Sequence, residues 1–179
     1  KADLIEVIGL QELAARAGTD ASARRALGLK EMDCLNSISD PNVPLRLLQI
    51  EESGTTGMGG PWDQGIRSKL YLGLVSVGFT IKAAGSGGSY GYGKAGLIRG
   101  SAIHSVLAHT CFREDDAEPG VTSRLLGMTY WGLHQQGDAS FTGFARLGKR
   151  GETAARPWEN AEADEIAAAV GLPTRDPSI

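Results

Sequence analysis

The sequence predicts an α+β fold in which helices cover one face of a mixed sheet. Three observations predict it: helical patterns fill residues 1–40, three strand patterns follow a glycine-rich middle, and an amphipathic helix spans 157–171. Helices and sheets each bury an apolar face against another element, so this order favours helices layered on a sheet. We expect a single domain over 1–179, with its core at 45–150.

Composition limits the classes of partner. With 179 residues and 41% hydrophobic content, the chain can bury one ordinary core. Its net charge of −3 gives no general attraction for nucleic acid or acidic membranes. No apolar run approaches the ~18 residues of a membrane span, and Cys34 and Cys111 have no metal-ligand spacing. We therefore expect a cytoplasmic protein that binds no membrane.

The first part of the chain predicts two helices and one strand. An Asp precedes each helical pattern as its N-cap, and the patterns run over 3–18 and 20–36. A turn with two prolines follows at 40–44. The apolar run Leu45–Ile50 is then bounded by turn residues, so it predicts a short buried strand.

The last part predicts a helix, three strands and a final helix. In order, these elements are 94–101, 103–112, 123–134, 140–147 and 158–170. The Gln-Gln-Gly-Asp sequence between the second and third strands predicts a hairpin turn.

Between these parts, roughly a third of residues 54–100 are glycine, against ~7% on average. Glycine at that density costs conformational entropy, so a folded domain tolerates it only where the backbone bends sharply or approaches a ligand. A disordered linker is the alternative interpretation. A solvated linker would seldom carry the aromatic residues found here, which are Trp62, Tyr71, Phe79, Tyr90 and Tyr92.

A first glycine box, Ile50–Met58, follows the predicted strand directly. The Glu52 carboxylate can accept a hydrogen bond from the exocyclic amine of adenine, and Gly54 and Gly57 let the backbone turn against the base. A purely structural strand-to-turn connection explains the same residues equally well.

A second glycine box, Gly85–Ala95, leads into a predicted helix. Backbone N–H groups at such a helix start form an anion nest, and Lys94 adds a point charge suited to phosphate. A flexible surface loop is the alternative. A P-loop has the same glycine and lysine spacing, but Ala95 replaces the Ser or Thr that holds magnesium there, so the chemistry argues against a P-loop.

Taken in order, the boxes resemble the second and third motifs of the GHKL ATPases, the family of gyrase, the heat-shock-90 chaperones, histidine kinases and MutL. The similarity is closest to bacterial Hsp90-like ATP-binding proteins found beside restriction and phage-defence genes. Their first motif, an acid followed by a Thr-Thr-Gly turn, corresponds here to Glu52–Met58. Their Gly-x-Ser-x-Lys motif corresponds to Gly65–Lys69, where the serine stands one position later, and their Gly-Gly-Ser-Phe-Gly-x-Gly-Lys motif corresponds to Gly87–Lys94. The resemblance covers roughly residues 45–150 and implies a two-layer α/β sandwich with a mainly antiparallel sheet.

The resemblance also implies a ligand, ATP with Mg²⁺, and a role as an ATP-driven switch in a larger protein of phage defence. Its partners would be other domains, partner subunits or a second copy. Glu52 takes the position of an adenine-binding aspartate. The implied ATP-binding residues are Glu52, Gly54, Thr56, Gly57, Met58, Lys69, Gly88, Ser89, Tyr90, Gly91, Tyr92, Gly93 and Lys94.

The first motif of the family is missing. It is a helix carrying Glu, three residues, then Asn; the Glu activates water and the Asn holds magnesium. Glu31 and Asn36 are spaced one residue too far apart, so we interpret Asn36 as a loop or C-cap residue. Because the chain opens at Lys1 without Met, we expect a fragment that does not hydrolyse ATP by itself. A non-catalytic scaffold of the same fold is the alternative function.

The remaining candidates have ordinary structural interpretations. We expect the three histidines, His104, His109 and His134, to be core or surface residues, since no carboxylate is placed to complete a metal set. Tyr130 and Trp131 are predicted to pack inside a strand. A basic cluster near Gly148 fits a charged hairpin end or a contact with nucleic acid; its members are Arg146, Lys149 and Arg150.

Overall fold

A computed structural model describes residues 2–18, 21–29, 35–38, 40–76 and 93–172. The α-helices are α1 (Ala2–Val7), α2 (Leu10–Ala17), α3 (Ala21–Ala26), α4 (Gly93–Gly100) and α5 (Asn160–Ala169). The strands are β1 (Ser105–Cys111), β2 (Ser123–Tyr130), β3 (His134–Gln136), β4 (Ala139–Phe141), β5 (Phe144–Leu147) and β6 (Trp158–Glu159). A 3₁₀ segment, Trp62–Arg67, and a π-helical turn, Tyr71–Val75, complete the set. None of these helices is long and apolar enough to cross a bilayer.

The main sheet has the order β1-β2-β5, and β6 also pairs with β2. Its strand pairs, like that of the separate β3–β4 hairpin, are antiparallel throughout the described residues. The α+β class is confirmed. A turn is present at Gly137, but it joins β3 to β4 in the separate hairpin instead of joining the two predicted strands, and the predicted strand 140–147 is divided between β4 and β5. The predicted strand 123–134 ends at Tyr130, because Trp131 and Gly132 donate their amides to Gly143 and Leu27 instead of continuing the ladder.

The two faces of the sheet pack against different parts of the chain. Odd-numbered residues of β1 and β2, such as Leu107 and Leu125, face a large core built with the N-terminal helices and α5. Even-numbered residues, such as Leu126 and Met128, face a second core that includes Trp62, Leu70 and Leu74. Helices therefore cover one face, as predicted, and the segment 58–75 covers the other.

The N-terminal helix predicted over 3–18 is divided in two. Gly9 has a φ of 69°, in the left-handed region, and separates α1 from α2. Gly18 ends α2 as predicted. The second helical pattern forms only Ala21–Ala26. Asn36 lies in a turn, in agreement with its interpretation as a loop residue, and its Oδ1 accepts a hydrogen bond from Arg24 at 2.5 Å.

The final helix begins two residues later than its pattern predicts. Trp158 and Glu159 extend along β2 and pair with Leu125 and Arg124, so α5 starts at Asn160. Gly171, with a φ of 79°, follows the helix as predicted. The buried Ala163 and Ala167 let α5 approach the sheet closely.

The predicted buried strand Leu45–Ile50 is wrong. Residues 44–53 belong to none of the strands or bridges among the described residues. Leu47, Leu48 and Ile50 are 58%, 77% and 65% exposed. The apolar run has the composition of a core strand, but composition does not supply the neighbouring strand that a buried backbone needs.

Arg124 joins three parts of the second face and is fully buried. Its guanidinium forms ion pairs with Glu118 and, at 2.9 Å, with Glu159. It also donates to the carbonyl of Gly60 at 2.6 Å and lies 5.4 Å from the centre of the Phe112 ring. A buried guanidinium requires such partners, because an unpaired charge in the interior is costly.

Candidate functional site

The first glycine box lies against the C-terminal end of β1. Gly57 has a φ of +68°, and a Cβ added there would come within 1.9 Å of the carbonyl oxygen of Cys111. The next amide, that of Met58, donates to Thr110 Oγ1 at 2.8 Å. Only glycine fits this contact, so the turn is held at a fixed place on the even-numbered face of β1.

Lys69 contacts the same turn. Its backbone amide donates to Gly59 at 2.9 Å, and its ammonium group donates to Thr56 Oγ1, also at 2.9 Å. The neighbouring Ser68 is fully buried, which fixes the backbone from which the lysine projects. The structure therefore brings together Thr56, Gly57, Met58 and Lys69, which the sequence placed in two separate motifs.

Glu52 and Gly54 differ from the prediction in their surroundings. Both are exposed, and Gly54, with a φ of +74°, has open space where a side chain would extend. Because the preceding run is not a buried strand, the Glu52 carboxylate does not lie at the end of one. The turn geometry that the glycine spacing predicts is present, but the burial that would strengthen a hydrogen bond to adenine is not.

Lys94 stands at the first turn of α4, where a helix was predicted. Its ammonium group donates to the carbonyl oxygen of Ser76. Partial burial, which disfavours the charged form, lowers the pKa of Lys94 from its usual 10.5. Gly93 begins the helix. The other predicted ATP-binding residues of the second glycine box lie outside the described residues; they are Gly88, Ser89, Tyr90, Gly91 and Tyr92.

The described residues do not offer a fitting magnesium site. Asn36, the nearest match to the magnesium-binding residue of the family, has its amide oxygen occupied by Arg24. Within the described part of the chain, one group of His, Cys, Asp or Glu residues is close enough to share a metal ion, and it consists of His109, Cys111 and Asp164. That mixed set lacks the all-oxygen character that Mg²⁺ requires.

The histidines differ partly from expectation. His104 precedes β1 with a φ of 47° instead of lying within the strand. His109 Nε2 lies 2.9 Å from Oδ1 of Asp164 in α5, a contact with a carboxylate that was not predicted from the sequence. His134 stacks on Phe141 with the ring centres 5.5 Å apart. The His109 contact joins residues 55 positions apart, a proximity that strand alternation alone cannot predict.

The aromatic and basic residues mostly pack. The Trp131 indole donates to Ile103, and the Tyr130 hydroxyl donates to Leu74 at 2.5 Å. Burial raises the pKa of Tyr130 to about 12. These contacts agree with the prediction that both rings pack.

In the basic cluster, Arg146 lies over the rings of Trp62 and Tyr71, and Lys149 pairs with Glu162. Two of its three charges are thus engaged within the fold.

An open cleft of about 500 Å³ lies beside Arg67 and the acidic loop 114–117. This loop was not predicted as a candidate site, although its run of charged residues ending in Pro-Gly is a visible turn signal in the sequence. Sequence reasoning also missed Thr110 and Asp164, since their roles depend on contacts with distant segments. Comparison of the chain with protein-family models, with curated proteins and with solved structures gives no match.

Proposed function

We propose that the protein is an ATP-binding module of the GHKL type, in which the turn at Thr56–Met58 and the lysines Lys69 and Lys94 contact the nucleotide. The observation that carries this proposal is the hydrogen bond between Lys69 and Thr56. It joins the Thr-Thr-Gly turn to the segment Gly65–Lys69. Both segments resemble motifs of one family and are separate in the sequence, with Ser68 one position later than the serine of the family's Gly-x-Ser-x-Lys motif.

The chemistry of this arrangement supports an anionic ligand. Lys69 presents its ammonium group, together with the Thr56 hydroxyl, at an exposed turn. Lys94 adds a second ammonium group at the start of α4, where the helix dipole also favours negative charge. Phosphate groups of a nucleotide suit both cations. The open space beside Gly54 leaves room for close approach of a flat base.

The proposal is limited to binding. The sequence does not match the family residues that activate water and hold magnesium, so we derive no hydrolytic step. The exposed Glu52 carboxylate is assigned to base recognition. A carboxylate accepts from the adenine amine, whereas guanine presents an oxygen acceptor at the equivalent position and is disfavoured.

Titration with a fluorescent ATP analogue tests this function. We expect saturable binding, weakened more than about 10-fold by Lys69→Ala and by Lys94→Ala, since each removes a charged contact worth about 1.5 kcal/mol or more. Lys149→Ala is the matched control, because that lysine is exposed and pairs with Glu162 outside the turn. Competition by unlabelled ATP, GTP and tripolyphosphate separates nucleotide recognition from simple charge attraction, and Glu52→Ala should remove any preference for ATP over GTP.

Absence of saturable binding would rule out the proposal, as would equal losses in all three lysine variants. In that case the second candidate function, a non-catalytic interaction module, is favoured by one specific observation. Leu47, Leu48 and Ile50 expose apolar side chains along one extended segment, and contiguous exposed apolar residues mark contact surfaces. Under that function, Leu48→Ser and Ile50→Ser would abolish association with a partner.

A further inference from the structure

β1 presents two metal-binding side chains to α5. His109 and Cys111 are two residues apart on the strand, so they point to the same face of the sheet. That face is the odd-numbered one, which α5 covers, and Asp164 projects from α5 toward it. One ligand atom from each of the three residues lies within 4.8 Å of the other two.

The three ligand types select a class of metal. An imidazole nitrogen, a thiolate sulfur and a carboxylate oxygen together match the preferences of Zn²⁺ and related divalent transition ions. Mg²⁺ and Ca²⁺ prefer oxygen ligands throughout, so they are disfavoured at this cluster. Three protein ligands leave a fourth tetrahedral position for water, the arrangement found in open zinc sites.

The surroundings orient the ligands and leave a path for the ion. The His109 side chain is only 6% exposed, and its 2.9 Å bond to Asp164 holds the ring toward α5. Asp164 is 39% exposed, so an ion can enter from its side. With zinc–ligand bonds of about 2.0–2.3 Å, tetrahedral ligand atoms lie about 3.3–3.7 Å apart. Pairs of ligand atoms up to 4.8 Å apart therefore need to close by about 1.1–1.5 Å at most, and the His109–Asp164 pair needs to open by about 0.4–0.8 Å. Rotation of the three side chains can supply shifts of this size.

We propose that His109, Cys111 and Asp164 form a binding site for a divalent transition ion of the Zn²⁺ class. Binding replaces the hydrogen bond between His109 Nε2 and Asp164 Oδ1 with two metal bonds. The proton leaves Nε2, so the neutral imidazole carries its ring proton on Nδ1, and the thiol of Cys111 releases its proton to solvent. The ion then links the strand that supports the glycine turn to the final helix. This site is independent of the proposed nucleotide function, because Thr110 and the turn at Gly57 lie on the opposite face of β1.

Titration of the full chain with Co²⁺ tests the proposal, because Co²⁺ occupies zinc sites and reports its ligands by absorption. We expect one equivalent of Co²⁺ to give a near-ultraviolet thiolate-to-cobalt charge-transfer band, with visible bands of four-coordinate intensity, and Zn²⁺ to displace it. Cys111→Ser should remove the charge-transfer band. Cys34→Ser is the matched control and should leave the band intact.

Asp164→Asn provides a second variant that should fold normally, since the side chain is partly exposed on a helix. It should weaken Zn²⁺ binding more than about 10-fold. Loss of a residue that only supports a metal ligand already lowers metal affinity about 10-fold, and Asp164 is proposed as a ligand itself. The melting temperature of the metal-free variant should remain close to that of the wild type, whereas Zn²⁺ should raise the melting temperature of the wild type alone. Absence of the thiolate band, or its retention in Cys111→Ser, would overturn the proposal.

Discussion

At Gly57 the glycine turn and β1 approach so closely that no side chain fits between them. We predict that Gly57→Ala lowers the free energy of unfolding by about 3 kcal/mol, since a left-handed φ costs about 1 kcal/mol for alanine and the overlap with the Cys111 carbonyl adds about 2 kcal/mol more. Urea denaturation measures the change.

Gly54→Ala is the matched control for this prediction. Gly54 has nearly the same φ, +74°, but nothing lies within 4 Å of the added Cβ. This variant should lose only about 1 kcal/mol. Equal losses in the two variants would show that the turn can move away from β1, and that Gly57 does not fix its place.

The same turn shows which properties of single residues can be predicted from the sequence. The glycine spacing predicted a sharp turn at 54–57, and both glycines adopt the left-handed conformation that such a turn requires. The partner of Thr56 could not be predicted, because the hydrogen bond from Lys69 spans 13 positions. A motif identifies residue types that suit a ligand, whereas the contact between two motifs depends on the path of the chain between them.

At the scale of elements, the run at 45–50 shows that an apolar composition does not ensure burial. We predict that Leu48→Ala changes the free energy of unfolding by no more than about 0.5 kcal/mol, because Leu48 is 77% exposed. Leu70→Ala, at a fully buried leucine of the second core, should cost about 2–5 kcal/mol. Thermal or urea unfolding of the two variants gives the comparison.

A large loss of stability in Leu48→Ala would mean that the run is buried after all, as its sequence pattern predicts. The strands after residue 100 behave differently, since β1, β2 and β5 all form within their predicted ranges. Each finds an antiparallel neighbour nearby in the sequence, so their alternating patterns are matched by available partners.

For the molecule as a whole, Arg124 connects the segment after the glycine turn, the acidic loop and the entry to α5. We predict that Arg124→Met lowers the free energy of unfolding by about 3 kcal/mol, the low end for loss of one partner of a buried ion pair. We expect the low end of this range because the side chains of Glu118 and Glu159 are still 23% and 36% exposed, so water can solvate the carboxylates that lose their partner.

Arg156→Met is the control for this prediction, since the Arg156–Asp63 pair is exposed on both sides. Exposed pairs contribute about 0–1 kcal/mol, so its unfolding midpoint in urea should barely move. Comparable losses for the two arginines would show that Arg124 does not hold the second face of the sheet together.

The sequence by itself determined the α+β class, the three strands after residue 100, the closing helix and the glycine turn at 54–57. These features depend on local periodicity and on φ preferences that each short segment carries. Only the tertiary structure decided that 45–50 is exposed, that Lys69 meets Thr56, and that His109 faces Asp164 across the interface between β1 and α5. Such contacts depend on how distant segments pack, because burial and proximity are properties of the partner surfaces, and no single segment encodes its partner.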